Sequence, residues 1–597
     1  MESQREPVEE KPAEAASRSL KRWWQPLVPL MPLFGLLLVL LLIGWPHSPS
    51  TEDILILSTR VVAFLYGALF LVNFYKRPFE EEMSRLQRYA IPAVAVLIIL
   101  SSLFENLLSS WIHAGFPHLS VRLILLMVAA IQQVSLLLIN LPSWIPTLES
   151  SLLRRLNPGT ILFGTFALLV VLGTLLLKMP NATTGGITWI DALFTSTSAV
   201  CVTGLIVVDT ATAFTPLGQG IILGLIQLGA FGIVTLTFFL AVVTGQGFSV
   251  ASRIFLKDVL NLENLRSLRY AVFFLITFTL IIEALGWASL HILWSRSGFA
   301  GEDLRWASLF HSVSAFCNAG FSIFSQGLAD PIAVSNYSLQ GVMMILIILG
   351  GIGFPVLMEA LSRLGPPWRG GPRPARPTLH FRLALLTTAV LLIGGTLLLF
   401  LSHPGSAGES GFHRLWVALF NAVTARTAGF NISDMAALSS AATAVMIFLM
   451  FIGGSPGGFA GGIKTTTFAL SMLNLHRILL ARRDVELFRR RIEESLCNRA
   501  FAVMLLSFMW IFAATALILF LQPEFLLLDT LFETVSAFST VGLSRGITAD
   551  LSTASKFVIV TTMFVGRIGV MNFFFSLLVV PPKERRFRVP RERIIIE

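Results

Sequence analysis

The chain has 597 residues, of which 55% are hydrophobic and only 13% charged. That balance excludes a water-soluble multidomain protein, whose surface needs far more charge. The net charge is +10, but the basic residues fall in short stretches between apolar runs, which is the positive-inside bias of a membrane protein rather than a nucleic-acid surface.

In chain order, residues 1–25 predict a disordered cytoplasmic N-terminus, because Met1 to Ser19 is polar, charged and nearly free of aromatics. Apolar segments follow at Pro26 to Trp45, Ile54 to Tyr75, Tyr89 to Ile112 and Leu119 to Leu141. Each is about 20 residues long, enough to cross a hydrocarbon core. The first is long for a signal peptide and has no small-residue cleavage site after it, so it reads as a retained helix. Residues 26–157 therefore predict an N-terminal four-helix transmembrane bundle, with Glu105 and Asn106 at an interface. A voltage sensor needs several arginines on its fourth helix. This one carries Arg122 alone, with Gln132 and Gln133 inside, so the bundle reads as structural or dimer-supporting.

Eight more apolar segments follow in four pairs, starting near Thr160, Leu217, Tyr270, Leu339, Leu383, Ala441, Asn498 and Ala554. Each pair encloses one copy of a repeated stretch: Phe194 to Gly204, Phe310 to Gly320, Phe420 to Gly429 and Phe532 to Gly542. Repetition decides architecture before any single motif does. A stretch this short cannot span the bilayer. It can be a re-entrant half-helix, provided it lines a cavity. Ser198, Ser314, Thr424 and Ser536 stand one turn after the Phe, where the half-helix should end. The expected fold is thus all-α and membrane-embedded, with four M1–P–M2 pore repeats around a pseudo-four-fold axis behind about four extra helices. The expected boundaries are 158–260, 261–372, 373–495 and 496–580, with a basic cytoplasmic tail at 581–597. The basic stretches then lie on one side, which places both termini in the cytoplasm.

The loop after each half-helix is the expected ion site. Glycine permits positive φ, so successive carbonyls can point at an axis, and rings of carbonyls replace the hydration shell of potassium. The candidate filter residues are Thr203, Gly204, Asn318, Ala319, Gly320, Ala428, Gly429, Val541 and Gly542, with potassium at their carbonyls. The third stretch is one residue shorter, so the ring should be imperfect there.

The second helix of each pair also carries glycines: Gly229 and Gly232, Gly350 and Gly353, Gly566 and Gly569. The third pair instead carries the run Gly453 to Gly462, which no helix can cross. That run predicts an intramembrane loop under the filter. The candidate gate residues are Gly453, Gly454, Ser455, Gly457, Gly458, Gly461, Gly462, Lys464 and Arg567. A phosphate-binding loop is excluded, since Ile463 precedes Lys464 and the surroundings are helical. Arg567 stands where the other repeats have Ala230, Gly351 and Gly454, and is expected to clamp this loop. Arg426 and Glu533 are expected to pair behind the filter. Asp191, Asp303 and Asp529 precede the half-helices and are expected to cap them, with attraction of cations as the alternative. His311 reads as structural. Cys201, Cys317 and Cys497 have neither disulfide nor metal-ligand spacing. No HExxH and no paired catalytic acids are present, so an enzyme is not expected.

These stretches resemble the Trk/Ktr/HKT superfamily of potassium transport proteins, specifically its TrkH/KtrB-type membrane subunits, over roughly Thr160 to Leu578. The run ending FIGGSPGGFAGGIKTTT at Thr467 is the most specific part. The resemblance implies filter glycines at Gly204, Gly320, Gly429 and Gly542, a gate loop at Gly453 to Gly462 and a gate-contacting arginine at Arg567. It further implies a homodimer in the cell membrane and a separate cytosolic RCK-type nucleotide-binding ring. No cofactor is implied beyond potassium as substrate. The basic loops Arg363 to Arg382 and Arg477 to Arg491 are candidates to dock that ring or to meet anionic lipid. The four-helix extension departs from the TrkH pattern of two extra helices. A gated passive channel and a symporter coupled to sodium or protons both remain open. Glu283 and Glu359 are the candidate acids for a second ion site.

Overall fold

The computed structural model describes residues 31–76, 85–104, 158–232, 265–297, 302–364, 377–402 and 410–577, with scattered residues between 107 and 136 and at 235. Three N-terminal helices lead: α1 (Met31–Gly44), α2 (Pro49–Lys76) and α3 (Arg85–Leu103). Most of the fourth expected segment lies outside the described residues, as do Arg122, Glu105, Asn106, the loop 365–376 and the tail from 578. Gln132 and Gln133 do point inward. Gln132 donates to Ser101 Oγ at 2.9 Å and Gln133 to the Thr59 carbonyl at 3.0 Å. Buried amides in an apolar bundle need such partners.

One pattern then recurs: long helix, short helix, loop, second helix. The first copy is α4 (Pro158–Leu177), α5 (Trp189–Val200) and α6 (Pro216–Phe231). The second is α7 (Leu265–Arg296), α8 (Glu302–Phe316), α9 (Tyr337–Gly351) and α10 (Phe354–Leu364). The third is α11 (Leu379–Ser402), α12 (Gly411–Thr424), α13 (Ser440–Phe451) and α14 (Thr465–Leu479). The fourth is α15 (Glu494–Leu521), α16 (Leu527–Phe538), α17 (Thr553–Ile568) and α18 (Val570–Leu577). The leading helices α4, α7, α11 and α15, together with α2, are long and apolar enough to cross a membrane. The second helices break. α9 and α10 meet at 101°, and α17 and α18 at 100°. Each break falls on a glycine in the left-handed region, Gly353 (φ 91) and Gly569 (φ 90), which a side chain would disfavour.

The protein is an all-α integral membrane protein, with one small exception among the described residues. The basic stretch after α14 forms a hairpin, β1 (Val485–Leu487) against β2 (Arg490–Ile492), turning through Phe488 and Arg489 at positive φ. The sequence carries no glycine there to announce the turn.

Apolar packing sits at the junctions between copies. Phe194, Cys201 and Leu205 of the first pack with Ile518, Ile559 and Met563 of the fourth, so the last copy closes on the first.

Candidate functional site

The half-helices are anchored at their starts and strained at their ends. Thr188 caps α5 by accepting from Asp191 N at 3.2 Å, and its hydroxyl meets Asp191 Oδ2 at 2.7 Å. Asp191 and Asp529 are therefore first-turn residues and not the caps expected from sequence. Thr188 caps α5, and Leu526 occupies the cap position of α16. Each aspartate is occupied by a cation, Asp191 by Lys556 at 2.7 Å and Asp529 by Arg545 at 2.6 Å. Asp303 lies exposed near the start of α8.

Three of the half-helices run past the hydroxyl residue, to Val200, Phe316 and Phe538, and only α12 stops at its own, Thr424. The loops then repeat one backbone pattern. Val202 (φ 57), Asn318 (φ 59), Thr427 (φ 73) and Thr540 (φ 51) are left-handed, and so are the glycines two residues on, Gly204, Gly320, Gly429 and Gly542. Each non-glycine residue held there costs roughly 1–2 kcal/mol, a strain that persists only where surrounding structure over-determines it. Sequence reasoning assigned positive φ to the glycines alone.

The four glycines form a closed ring. A Cβ on Gly204 would lie 2.4 Å from the Ala319 carbonyl, one on Gly320 2.8 Å from that of Ala428, one on Gly429 2.4 Å from that of Val541, and one on Gly542 2.1 Å from that of Thr203. Each glycine thus abuts the carbonyl preceding the next glycine, and the fourth abuts the first. The shorter third stretch does not break this order, contrary to expectation. Its missing residue is absorbed at the helix end, where Ala428 N reaches Thr424 O, while Thr203, Ala319 and Val541 each reach one residue further back.

The hydroxyls behind the ring hold it in two ways. Ser198 Oγ accepts from Gly204 N at 3.0 Å and Ser536 Oγ from Gly542 N at 3.1 Å. Ser314 and Thr424 instead donate to the carbonyls of Phe321 and Phe430, at 2.8 and 2.6 Å. His311, as read from sequence, is structural: its ring joins the Ala307 carbonyl and Ser322 Oγ.

Polar clasps join consecutive copies, always from the residue one turn into the second helix. Trp306 Nε1 donates to Gln219 at 2.8 Å, Trp416 Nε1 to Gln340 at 2.6 Å, Arg545 to Thr443 at 2.8 Å, and Lys556 to Asp191 at 2.7 Å. Sequence reasoning missed all of them. The signal available was position alone: each stands four residues after a helix cap, Thr215, Asn336, Ser439 and Ser552.

Beneath the ring, second-helix glycines touch the half-helix ends. A Cβ on Gly229, Gly350 or Gly566 would lie 2.0, 1.8 or 1.7 Å from the carbonyl of Val200, Phe316 or Phe538. In the third copy the helix stops at Phe451 and resumes at Thr465. The intervening loop is fixed by backbone bonds. Gly453 N donates to Ile463 O at 2.8 Å, Ser455 N to Gly351 O at 2.9 Å, Phe459 N to Gly350 O at 3.1 Å, and Phe354 N to Gly457 O at 3.1 Å. Broken backbone at membrane depth must find partners of this kind. Ser455 Oγ also meets Thr465 Oγ1 at 3.1 Å. Gly454 and Gly458 approach the carbonyl of Gly351, and Gly461 and Gly462 approach Thr540 and Ser539 just before the ring.

Arg567 is buried. It donates to the Phe459 carbonyl and, at 2.9 Å, to the Gly229 carbonyl, joining the fourth, third and first copies. Lys464 donates to the Ala460 carbonyl of its own loop. Phe459 is the loop's one aromatic side chain. It is 3% exposed, with its ring 6.0 Å from Phe231, 5.6 Å from Phe316 and 5.0 Å from Phe354. No glycine pattern in the sequence marks it out.

The expected Arg426–Glu533 pair is absent. Arg426 donates to the Gly453 carbonyl at 2.9 Å, and Glu533 accepts from Thr548. The reason is local: a half-helix end lies beside carbonyls freed by the broken helix, and these attract a guanidinium as a carboxylate does. Glu283 accepts from Gln227 at 3.2 Å, and Glu359 is held by Arg363 and Thr378. The two acids do not share a site.

Residues 127–588 match the family model described as TrkH, cation transport protein. The Ktr system potassium uptake protein B of Bacillus subtilis (strain 168) is 37% identical over 428 residues, covering 71% of this chain and 93% of that protein. The potassium/sodium uptake protein NtpJ of Enterococcus hirae is 34% identical over 453 residues, covering 74% and 98%. The crystal structure of the potassium transporter TrkH from Vibrio parahaemolyticus superposes with a TM-score of 0.58 at 17% identity, covering 87% of this chain and 98% of that one. At that identity the superposition speaks for the fold alone. With the family model matching most of its length, the chain belongs to the TrkH family of cation transport proteins, and is a Trk/Ktr-type multi-pass membrane subunit that transports rather than catalyses.

Proposed function

We propose that this chain is the translocating subunit of a potassium uptake system and conducts passively. Its filter is the ring built from Thr203, Gly204, Asn318, Ala319, Gly320, Ala428, Gly429, Val541 and Gly542. The observation that carries this reading is the cyclic contact of the four glycines with four carbonyls. Alternating left-handed residues let several carbonyls in each stretch face one axis, where they replace water around a bare cation. The names of the B. subtilis and E. hirae relatives, both uptake proteins for potassium, support the choice of ion.

The loop Gly453 to Gly462 is the gate. Arg567 holds it shut through the Phe459 carbonyl and places a fixed positive charge beneath the ring, which raises the barrier to cations. We place both termini in the cytoplasm, where the basic loops meet a cytosolic regulatory ring, and we expect a homodimer in the cell membrane. The name of the Ktr system supports accessory subunits.

A potassium symporter coupled to sodium or protons is the second reading. The observation favouring it is Glu283, a carboxyl only 5% exposed inside the bundle. Rubidium uptake into proteoliposomes separates the two. Passive uptake that potassium blocks and sodium does not, indifferent to an imposed sodium or pH gradient, is the expected result. Uptake that requires either gradient establishes the symporter. Arg567→Ala should raise uptake on the order of tenfold, the effect of losing a buried charged hydrogen bond; unchanged uptake in a properly inserted variant removes the gate assignment.

A further inference from the structure

Arg426 stands two residues after α12 ends at Thr424, next to left-handed Thr427 and three residues before the ring glycine Gly429. The other copies carry Cys201, Cys317 and Ser539 before their left-handed residues. A large cation here needs its own explanation. One arm of the guanidinium, Nη2, donates to the Gly453 carbonyl. The other, Nη1, is buried and finds no acceptor among the described residues. The same holds for Thr388 Oγ1 on α11. Both residues line one small cavity of about 20 Å³, with Gly351 and Gly454 beside them and Ile347 and Leu392 as apolar walls. A polar cavity above roughly 10–15 Å³ holds one water when two or more polar groups face it. The walls here are mostly apolar, but the cavity has the room, and the two unpartnered groups, Arg426 Nη1 and Thr388 Oγ1, belong to residues that line it.

We propose that the cavity is a one-water site and that Arg426 is a second positioning residue of the gate. Nη2 holds the entry limb of the loop at Gly453. Nη1 donates to the water, which bonds in turn to Thr388 Oγ1 and so fixes the guanidinium against α11. This rests on reading Gly453 to Gly462 as the gate, and it adds a division of labour. Arg567, from the fourth copy, holds the middle of the loop at Phe459. Arg426, from the third, holds its beginning and joins it to the filter stretch three residues from Gly429. Opening then requires both anchors to let go, and a change at the third filter stretch is felt at the gate.

The test is rubidium uptake by proteoliposomes holding the full chain, comparing Arg426→Gln, Thr388→Val, Thr388→Ser, the double variant Arg426→Gln with Thr388→Val, and Arg567→Ala. Arg426→Gln should raise uptake on the order of tenfold, and Thr388→Val about threefold, since it removes only the water's second partner. Thr388→Ser keeps the hydroxyl and should restore the closed state. The double variant should leak no more than Arg426→Gln alone, because both act through one water. Should Arg426→Gln fail to insert, the Thr388 pair carries the test by itself. A leak in Arg567→Ala with wild-type uptake in Arg426→Gln and Thr388→Val overturns this proposal and leaves the gate in place. Additive leaks overturn the shared water. Wild-type uptake in every variant, Arg567→Ala included, overturns the gate.

Discussion

The ring and the layer beneath it are built from the same four copies by opposite rules. In the ring the copies are interchangeable: the same two left-handed residues, the same glycine-to-carbonyl contact, and a deletion absorbed out of harm's way. One layer down they diverge. The first copy contributes Phe231, the second a helix bent by 101°, the third a loop, and the fourth Arg567. Four equal carbonyl sets are what a cation on an axis requires, whereas a movable barrier needs only one part that moves and others that hold it. On the reading proposed above, symmetry survives where the chemistry is symmetric and is lost where control would be exerted.

Substitutions break or sharpen that contrast. The largest effect belongs to the seam between the layers. Gly566→Ala puts a methyl 1.7 Å from the Phe538 carbonyl, a backbone atom with nowhere to go, so folded protein should be lost, read as the absence of a monodisperse peak on size exclusion. Next comes the layer proposed as the gate. Phe459→Ala removes a buried ring at a cost of about 3 kcal/mol to the closed state. Rubidium uptake should rise steeply, with the preference for potassium over sodium retained. The ring should respond the other way. Gly542→Ala, at φ 93 and 2.1 Å from the Thr203 carbonyl, costs at least about 1–2 kcal/mol in backbone strain. It should erode potassium preference in competition assays, and Gly320→Ala, at 2.8 Å, should erode it less. Smallest is the outer rim. Lys556→Met leaves Asp191 without its cation and should lower stability by about 1 kcal/mol, seen as a modest drop in melting temperature with selectivity intact. Equal loss of selectivity from Phe459→Ala and Gly542→Ala would erase the distinction between the layers.

How much of this the sequence disclosed follows from what each part demands of the backbone. Left-handed turns, close helix crossings and a broken helix all call for glycine, so the four filter stretches, the second-helix glycines and the run Gly453 to Gly462 stand out by letter. The clasps between copies make no such demand. Gln219, Gln340, Thr443 and Lys556 share a position, but only the two glutamines share a chemistry, each accepting from a tryptophan, because any polar pair satisfies that junction. Arg426 was assigned to Glu533 because charges are visible in a sequence, while the Gly453 carbonyl that receives it exists only once the helix has broken. The hairpin at Val485 to Ile492 stayed hidden because Phe488 and Arg489 turn it without glycine. Val202, Thr427 and Thr540 are hidden in the same sense, being β-branched residues in a conformation that their type ordinarily avoids.

The clasp between Lys556 and Asp191 spans 365 positions of one chain, and it joins the last filter-bearing segment to the first. A ribosome that has made three copies has made a wall with one side missing, and in that state no closed ring of carbonyls exists. If the ring is the filter proposed above, selective conduction requires the fourth copy to enter the bilayer and meet the first. On the channel reading proposed above, a product that stops short of the fourth copy should support no selective ion uptake, because the segment that meets Asp191 is missing.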